Sequence, residues 1–512
     1  MKRLLLLLPL LALPSCDSPG KATAAEPVIQ SPPAPPAVAV TAPLELTRSV
    51  VRINSTRQTW NDNQPWEKNP PNQRRALGPV VGPNLVLTTG ELVGDATYLE
   101  FESTDGTRLT PAKVIAVDFE ANLALLGPAD DTAGAKFFEG MKPFEMDGSP
   151  KIGDPLDILQ VEDNGVPLLT VGALQGVDVV SNFLEGQYFL TFQVKASMQS
   201  AASSFSLPVL SKGKLAGLLA SYNSKDQLSD VIATELVKRF LESAKTGHYA
   251  GFPGLGLETT RTEDPSLRQW LKLGEDQGGI YVSGVRKGGS AQLAGVKKGD
   301  VVLAVDDHPI DRRGYYAHPV YGNLFWSHLI RGEKNVGDTI TLKLLRGGQP
   351  LSLDVKLVRQ EESDNLVPAY TFGHAPRYLV KGGLIFQELT KPLLESFGDE
   401  WQSRAPLNLL DAFENPEKYE GKMEHVVFLS GVIPTPATVG YERLRNLVVR
   451  KVDGQDVRDM KSLVAAFKQP SNGLHSIEFQ DESLVVYLDD RVSEAVDRKL
   501  IQRGIGKLSR TE

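Results

Sequence analysis

The sequence predicts a multidomain, mainly β protein in which an all-β barrel or sandwich precedes two smaller α+β units. Three observations carry this expectation. The chain has 512 residues, too many for one hydrophobic core, and the usual size of domains makes about three units the starting point. From Val50 onward the apolar residues come in short β-rich runs broken by Gly, Pro, Asn and Asp, the texture of a barrel or sandwich. Beyond residue 247 the runs alternate with short helical stretches and Gly-Asp or Asp-Gly turns, the texture of α+β domains.

The chain opens with Met1-Lys2-Arg3, an apolar run from Leu4 to Leu13 and a break at Pro14. The run is too short to span a bilayer as a settled helix, so residues 1–15 are expected to be a signal peptide. Cys16 is the only cysteine, which excludes an intramolecular disulfide and leaves no thiol for chemistry elsewhere in the chain. Leu13-Pro14-Ser15-Cys16 resembles the bacterial lipobox. That resemblance implies a lipidated Cys16 and a membrane-anchored lipoprotein of the bacterial cell envelope, facing the periplasm or the exterior. Residues 16–45 are rich in Pro and Ala, as in Ser31-Pro32-Pro33-Ala34-Pro35-Pro36, with too few large apolar side chains to bury. They read as a tether whose polyproline II form reaches up to about 90 Å. The formal net charge of −8 argues against a nucleic-acid partner, whose phosphates require a basic surface.

In residues 46–247 the clearest strands are Val50 to Ile53, Leu85 to Thr88, Tyr98 to Phe101, Val114 to Val117, Leu123 to Leu126, Tyr188 to Val194 and Leu215 to Leu219. A single closing helix is expected, with Asp230 as its cap and Ile232, Leu236 and Phe240 on one face. In residues 248–360 the strongest signal is Ser290 to Asp306: a short helix ending at Gly295, a Gly299-Asp300 turn, a buried strand and a turn at Asp306-Asp307. Residues 361–512 repeat this pattern more loosely. A strand at His425 to Leu429 is followed by Asn446 to Val452, a turn at Asp453-Gly454 and a helix over Met460 to Phe467. His425 and His475 lack metal-ligand spacing, so no metal and no cofactor is expected.

In this order the segments resemble the HtrA/Deg family of PDZ serine proteases, particularly the Deg branch with a long second PDZ region. The resemblance implies a trypsin-like double β-barrel over 46–247, a PDZ domain over 248–360, a divergent second PDZ-like domain over 361–512, and a homo-oligomer built on trimers. It places Glu91, in Thr88-Thr89-Gly90-Glu91-Leu92-Val93, at the family's catalytic His. It places Asn122, in Asn122-Leu123-Ala124-Leu125-Leu126, at the catalytic Asp. Anchoring the nucleophile turn on Pro208 puts Phe205 at the serine, with Ser204 and Ser206 as alternative counterparts.

Independently of any alignment, residues 46–247 contain no histidine, and serine attack needs a base within hydrogen-bond reach. The triad positions Glu91, Asn122 and Phe205 are therefore read as degenerate, with no catalytic residue retained. A Ser/Lys dyad of Lys195 with Ser197, Ser203, Ser204 or Ser206 is the remaining enzymatic reading.

A PDZ domain adds an extended peptide to a sheet edge and receives its carboxylate in a nest of backbone amides. By resemblance Leu255, Gly256 and Leu257 carry that nest. The aromatic stretch from Asp311 to Gly332 is long enough to occlude it. In the third unit no such nest is expected, and its role is read as packing against the rest of the molecule or oligomer contacts. The expected function is non-catalytic capture of polypeptide C-termini or unfolded chain, as chaperone, scaffold or adaptor. The alternatives are a serine endopeptidase with displaced catalytic residues and a regulatory subunit of an active homologue.

Overall fold

The computed structural model describes residues 39–41, 43–198, 206–247, 249–480 and 482–512, all within one unit. The expected signal peptide, Cys16, and Ser203, Ser204 and Phe205 lie outside the described residues. Ala39–Thr41 (β1), within the span read as tether, pairs with Leu168–Thr170, so regular structure begins ahead of residue 46.

The first barrel is closed by Val50–Arg57 (β2), Asn72–Gly82 (β3), Leu85–Thr88 (β4), Ala96–Glu102 (β5), Leu109–Asp118 (β6) and Leu123–Pro128 (β7), in the order β2-β3-β4-β7-β6-β5. Every residue of β7 is buried, and the two-residue period of a strand explains why. Ala124 and Leu126 face the barrel's own core with Val51, Ile53 and Phe101, whereas Leu123 and Leu125 face the core shared with the second barrel. Gly78 on β3 permits the closest approach, since a Cβ there would lie 2.6 Å from Ile53 Cδ1 and from Val86 Cγ1.

The second barrel comprises Pro155–Val161 (β8), Pro167–Ser181 (β9), Tyr188–Lys195 (β10), Leu207–Ser211 (β11), Lys214–Asn223 (β12) and Leu228–Ala233 (β13). Its order β9-β10-β13-β12-β11-β8 closes through a β8–β9 pairing. The closing helix exists but runs Thr234–Ala244. Asp230 and Ile232, read as its cap and first buried position, belong instead to β13, paired with Gln193 and Thr191. The β-branched pair Val231-Ile232 fits a buried strand between two neighbours better than a helical turn. Asp230 accepts a hydrogen bond from Ser221 Oγ (2.8 Å) across the sheet. The helix buries Leu236, Val237, Phe240 and Leu241, each stabilising by about 1.5–3 kcal/mol relative to exposure.

The first α+β domain contains Leu257–Thr260 (β14), Ile280–Val285 (β15), Val301–Val305 (β16), His308–Pro309 (β17), a hairpin of Tyr315–His318 (β18) and Gly322–Phe325 (β19), Thr339–Arg346 (β20) and Gln349–Lys356 (β21). Its sheet has the order β14-β15-β16-β20-β21, with β14 at one edge. The second α+β domain contains Tyr378–Lys381 (β22), Leu384–Glu388 (β23), Val427–Val432 (β24), Leu447–Val452 (β25), Gln455–Asp456 (β26), Leu474–Phe479 (β27), Val485–Asp489 (β28) and Ser509–Arg510 (β29). Its order β23-β24-β25-β27-β28 repeats the first domain strand for strand, with β22 and β29 added outside β23. The architecture is therefore two trypsin-like six-stranded barrels followed by two PDZ domains.

Both PDZ domains pack on the barrels. Tyr321 Oη donates to Glu235 Oε1 (2.8 Å), Arg239 Nη1 to the Arg331 carbonyl (2.7 Å) and Tyr249 Oη to Asp118 Oδ2 (2.8 Å). The second domain is held by Gln387 Nε2 donating to the Asp62 carbonyl (2.8 Å) and by the Arg510 guanidinium 4.4 Å from the Trp60 ring centroid.

Candidate functional site

Glu91 and Asn122, the two residues within the described part of the chain that the resemblance sets at triad positions, meet. Glu91 sits in the one-turn helix Gly90–Val93, whose first N–H groups have no intrahelical partner. Asn122 supplies one acceptor: its Oδ1 receives the Glu91 N–H at 2.9 Å. Asn122 is fully buried, so of a solvated or a hydrogen-bonded loop position it takes the second. Its φ of 54° is one that asparagine tolerates better than most residues. Its Nδ2 has no hydrogen-bond partner among the described residues. The Glu91 carboxylate lies 3.3 Å from Arg74 Nη1; burial raises its pKa, and Arg74 opposes the shift. Ser206 is buried at the entrance to β11, and its carbonyl accepts the Leu77 N–H at 3.1 Å.

The first PDZ domain presents a cavity of about 290 Å³, at the small end of ligand pockets. Leu255, Gly256 and Leu257 line it together with Phe325, Trp326, Ser327, Ile330 and Arg331, and Gly186 to Tyr188 and Glu120 of the barrels add to the lining. The Ala291 N–H donates to the Leu255 carbonyl (3.0 Å) and the Arg286 N–H to the Gly256 carbonyl (2.8 Å). In a trans peptide the following N–H points the opposite way. The Gly256 and Leu257 N–H groups are thereby directed away from these partners. Gly256 has a φ of 69°, the left-handed region that glycine enters without penalty.

The aromatic stretch from Asp311 to Gly332 does not cross this cavity. Its hairpin β18–β19 docks on the second barrel through Tyr321, and its end supplies Phe325, Trp326 and Ile330 to the cavity wall. This stretch, long enough to cover the groove, contributes part of the cavity's lining. Glu120 joins the two domains by accepting from Arg331 Nη2 at 2.7 Å; burial raises its carboxyl pKa and Arg331 resists.

The second PDZ domain is closed at the equivalent edge. By strand order β23 corresponds to β14, and the turn before it, Gly382-Gly383, has φ values of 62° and 109°. In the sequence this turn opens the apolar run from Leu384, but no nest comparable with Leu255 to Leu257 is expected there. The outer edge of β23 is paired along its length with β22, and β29 pairs with β22 in turn. Leu379 of β22 is buried with Phe386, Met460, Leu463 and Phe467, so the chain's own strand fills the space beside the helix Met460–Ala466.

Among the described residues one group combines metal-ligating side chains: His318, His328 and Glu333, with one ligand atom of each within 4.8 Å of the others. His318 Nδ1 accepts the Val320 and Tyr321 N–H groups, both at 3.2 Å, which places the proton of its neutral ring on Nε2. His328 Nδ1 meets the Tyr316 hydroxyl at 2.7 Å. Burial, reinforced by His318, pushes the His328 pKa down to about 4, so this ring is neutral at pH 7. Hydrogen bonds from the hairpin thus engage Nδ1 of both rings, and Glu333 Oε1 lies 3.8 Å from His328 Nδ1.

Comparison with known proteins agrees with this layout. Residues 253–357 and 367–507 each match the PDZ domain family. The chain is 24% identical over 457 residues to putative protease Do-like 3, mitochondrial, of Arabidopsis thaliana, covering 89% of this chain and 78% of that protein. It is 25% identical over 445 residues to the chloroplastic protease Do-like 2 of the same plant, covering 86% and 70%. The serine protease Do-like HtrA of Bacillus subtilis is 26% identical over 296 residues, 55% of this chain and 62% of that one. A solved structure of the HtrA-type protease AlgW with decapeptide superposes with a TM-score of 0.45 at 21% identity, covering 62% of this chain and 96% of that one. Two PDZ domains in tandem behind two barrels, together with relatives that match over 86–89% of the chain, make this protein similar to the HtrA/Deg-type protease family.

Proposed function

We propose that this protein is a non-catalytic member of that family that binds extended polypeptide through the first PDZ domain. The observation that carries the reading is the absence of any histidine from residues 46–247, combined with the contact between Glu91 and Asn122. An asparagine oxygen accepts the helix N–H as an aspartate would, but it supplies no negative charge to stabilise a cationic base. A glutamate paired with arginine is a weak base beside imidazole. The contact between Glu91 and Asn122 thus offers no imidazole for proton transfer, while the first PDZ cavity offers room for a ligand.

Purified protein incubated with unfolded casein is expected to leave it intact, and a fluorophosphonate is expected to leave Ser203, Ser204 and Ser206 unlabelled. Stoichiometric labelling lost on replacing one of these serines, or of Lys195-dependent character, overturns the proposal in favour of a displaced active site.

The proposal includes a lipid anchor at Cys16 in the bacterial envelope, supported by the charged start, the short apolar run and the single cysteine. Cys16→Ser is expected to move the protein from the membrane fraction to the soluble fraction. Retention in membranes sinks the anchor. Sedimentation of that soluble variant also reads the proposed trimer-based assembly, which a monomeric mass refutes.

A further inference from the structure

Between the two PDZ domains the chain crosses back over both barrels, and it does so with aromatic side chains. Phe372 lies 4.6 Å from Phe119, in the turn that carries Asn122, and 5.4 Å from Phe183 in the β9–β10 loop of the second barrel, almost parallel to it at 23°. Tyr370 stacks on Phe372 at 5.7 Å and reaches Phe119 at 6.0 Å. The floor is Gly94, where a Cβ would lie 3.1 Å from Phe372 Cδ1. One hydrogen bond fixes the segment's backbone here: the Gly373 N–H donates to Asp95 Oδ1 at 3.3 Å. The Phe119 carbonyl accepts the Asn122 N–H at 3.3 Å, so the floor of this contact is the turn that holds Glu91.

We propose that Phe119, Phe183 and Gly94 form a second polypeptide-binding socket, separate from the first PDZ cavity, which takes an aromatic-x-aromatic segment and is filled in the resting protein by Tyr370-Thr371-Phe372. Three features support this assignment. Four ring pairs make up the aromatic part of the contact, each worth about 0.5–1.5 kcal/mol beyond buried area. The socket draws one wall from each barrel, beside the turn whose Asn122 receives the Glu91 N–H. The occupant is tethered at both ends to docked domains, and tethering gives it a millimolar effective concentration. A segment presented by another chain therefore binds only when the internal one is weakened or withdrawn.

The test uses the full-length protein and a fluorescent, C-terminally amidated peptide with the sequence of residues 366–376, which offers the first PDZ cavity no terminal carboxylate, followed by anisotropy. Tyr370→Ser/Phe372→Ser is expected to bind this peptide at least about tenfold more tightly than the wild type. A peptide with both aromatics changed to Ser is expected not to bind. Adding Phe183→Ala to the variant is expected to weaken binding by about fivefold, while adding Gly256→Glu leaves it unchanged. Phe372→Leu, which keeps an apolar side chain, is the second variant and is expected to give an intermediate gain should the double serine variant unfold. Equal binding by wild type and both variants, or binding indifferent to Phe183→Ala, overturns the socket. Loss with Gly256→Glu instead assigns the peptide to the PDZ cavity and overturns it too.

Discussion

Gly256→Glu is expected to lower the affinity of the full-length protein for peptides with a free C-terminus by about 100-fold. Two effects add. A non-glycine residue at a φ of 69° costs about 1–2 kcal/mol, and relaxing that strain rotates the peptide plane whose N–H is aimed at the ligand. The new side chain also starts 2.9 Å from Gln360 Oε1 and 3.3 Å from Arg286 Cβ, so it is driven into the cavity that the ligand needs. Hydrogen bonds to a charged group contribute about 1.5–3 kcal/mol, and losing them with a carboxylate added nearby gives the expected factor, at about tenfold for each 1.4 kcal/mol.

Isothermal titration with matched free-acid and C-terminally amidated peptides reads this directly. The wild type should discriminate the two forms, and the variant should not. Discrimination that survives the substitution with an unchanged unfolding transition moves the carboxylate site away from Leu255, Gly256 and Leu257.

The sequence made the strands legible where alternation and continuous burial have a local cause. Leu123 to Leu126 reads as a strand from its apolar run alone, and the structure adds that alternate residues serve two different cores. The Ile232, Leu236 and Phe240 spacing was misleading because a four-residue interval that spans a strand-to-helix junction looks the same as one inside a helix. The β-branched neighbour Val231 was the available signal.

Sites built from distant segments left weaker traces. Glu91 and Asn122 were placed by family resemblance, but nothing local to Asn122 announces that its side chain is fully buried and holds the Glu91 N–H. Tyr370 and Phe372 sit two residues apart near the start of the span read as the second PDZ-like domain, and their partners Phe119 and Phe183 are more than 180 positions upstream. The closure of the second PDZ edge by Tyr378–Lys381 depends on strand pairing, which a single strand's composition does not specify.

His475→Leu is expected to destabilise the second PDZ domain by about 3–5 kcal/mol, the range for removing one member of a buried, hydrogen-bonded charge group. His475 is fully buried. Its Nδ1 lies 2.6 Å from Asp453 Oδ2 and its Nε2 lies 3.1 Å from Asp490 Oδ1. Asp453 retains the Ser476 N–H at 2.7 Å on its other oxygen, but its side chain is only 2% exposed, so the oxygen released by the substitution has no water to turn to. Leucine matches the volume, which removes a cavity as the cause of the loss.

The consequence extends to the closed edge. Asp490 is held below the usual carboxylate range because hydrogen bonds from His475 and Lys381 outweigh its burial, and Lys381 is the last residue of β22. Urea unfolding reads the stability, and hydrogen exchange reads whether the β22 amides that pair with β23 lose protection along with it. His475→Gln, which keeps one donor, should lose less than Leu. A loss within 1 kcal/mol for Leu, with β22 protection unchanged, would show that strand pairing and the burial of Leu379 hold the edge shut without this network.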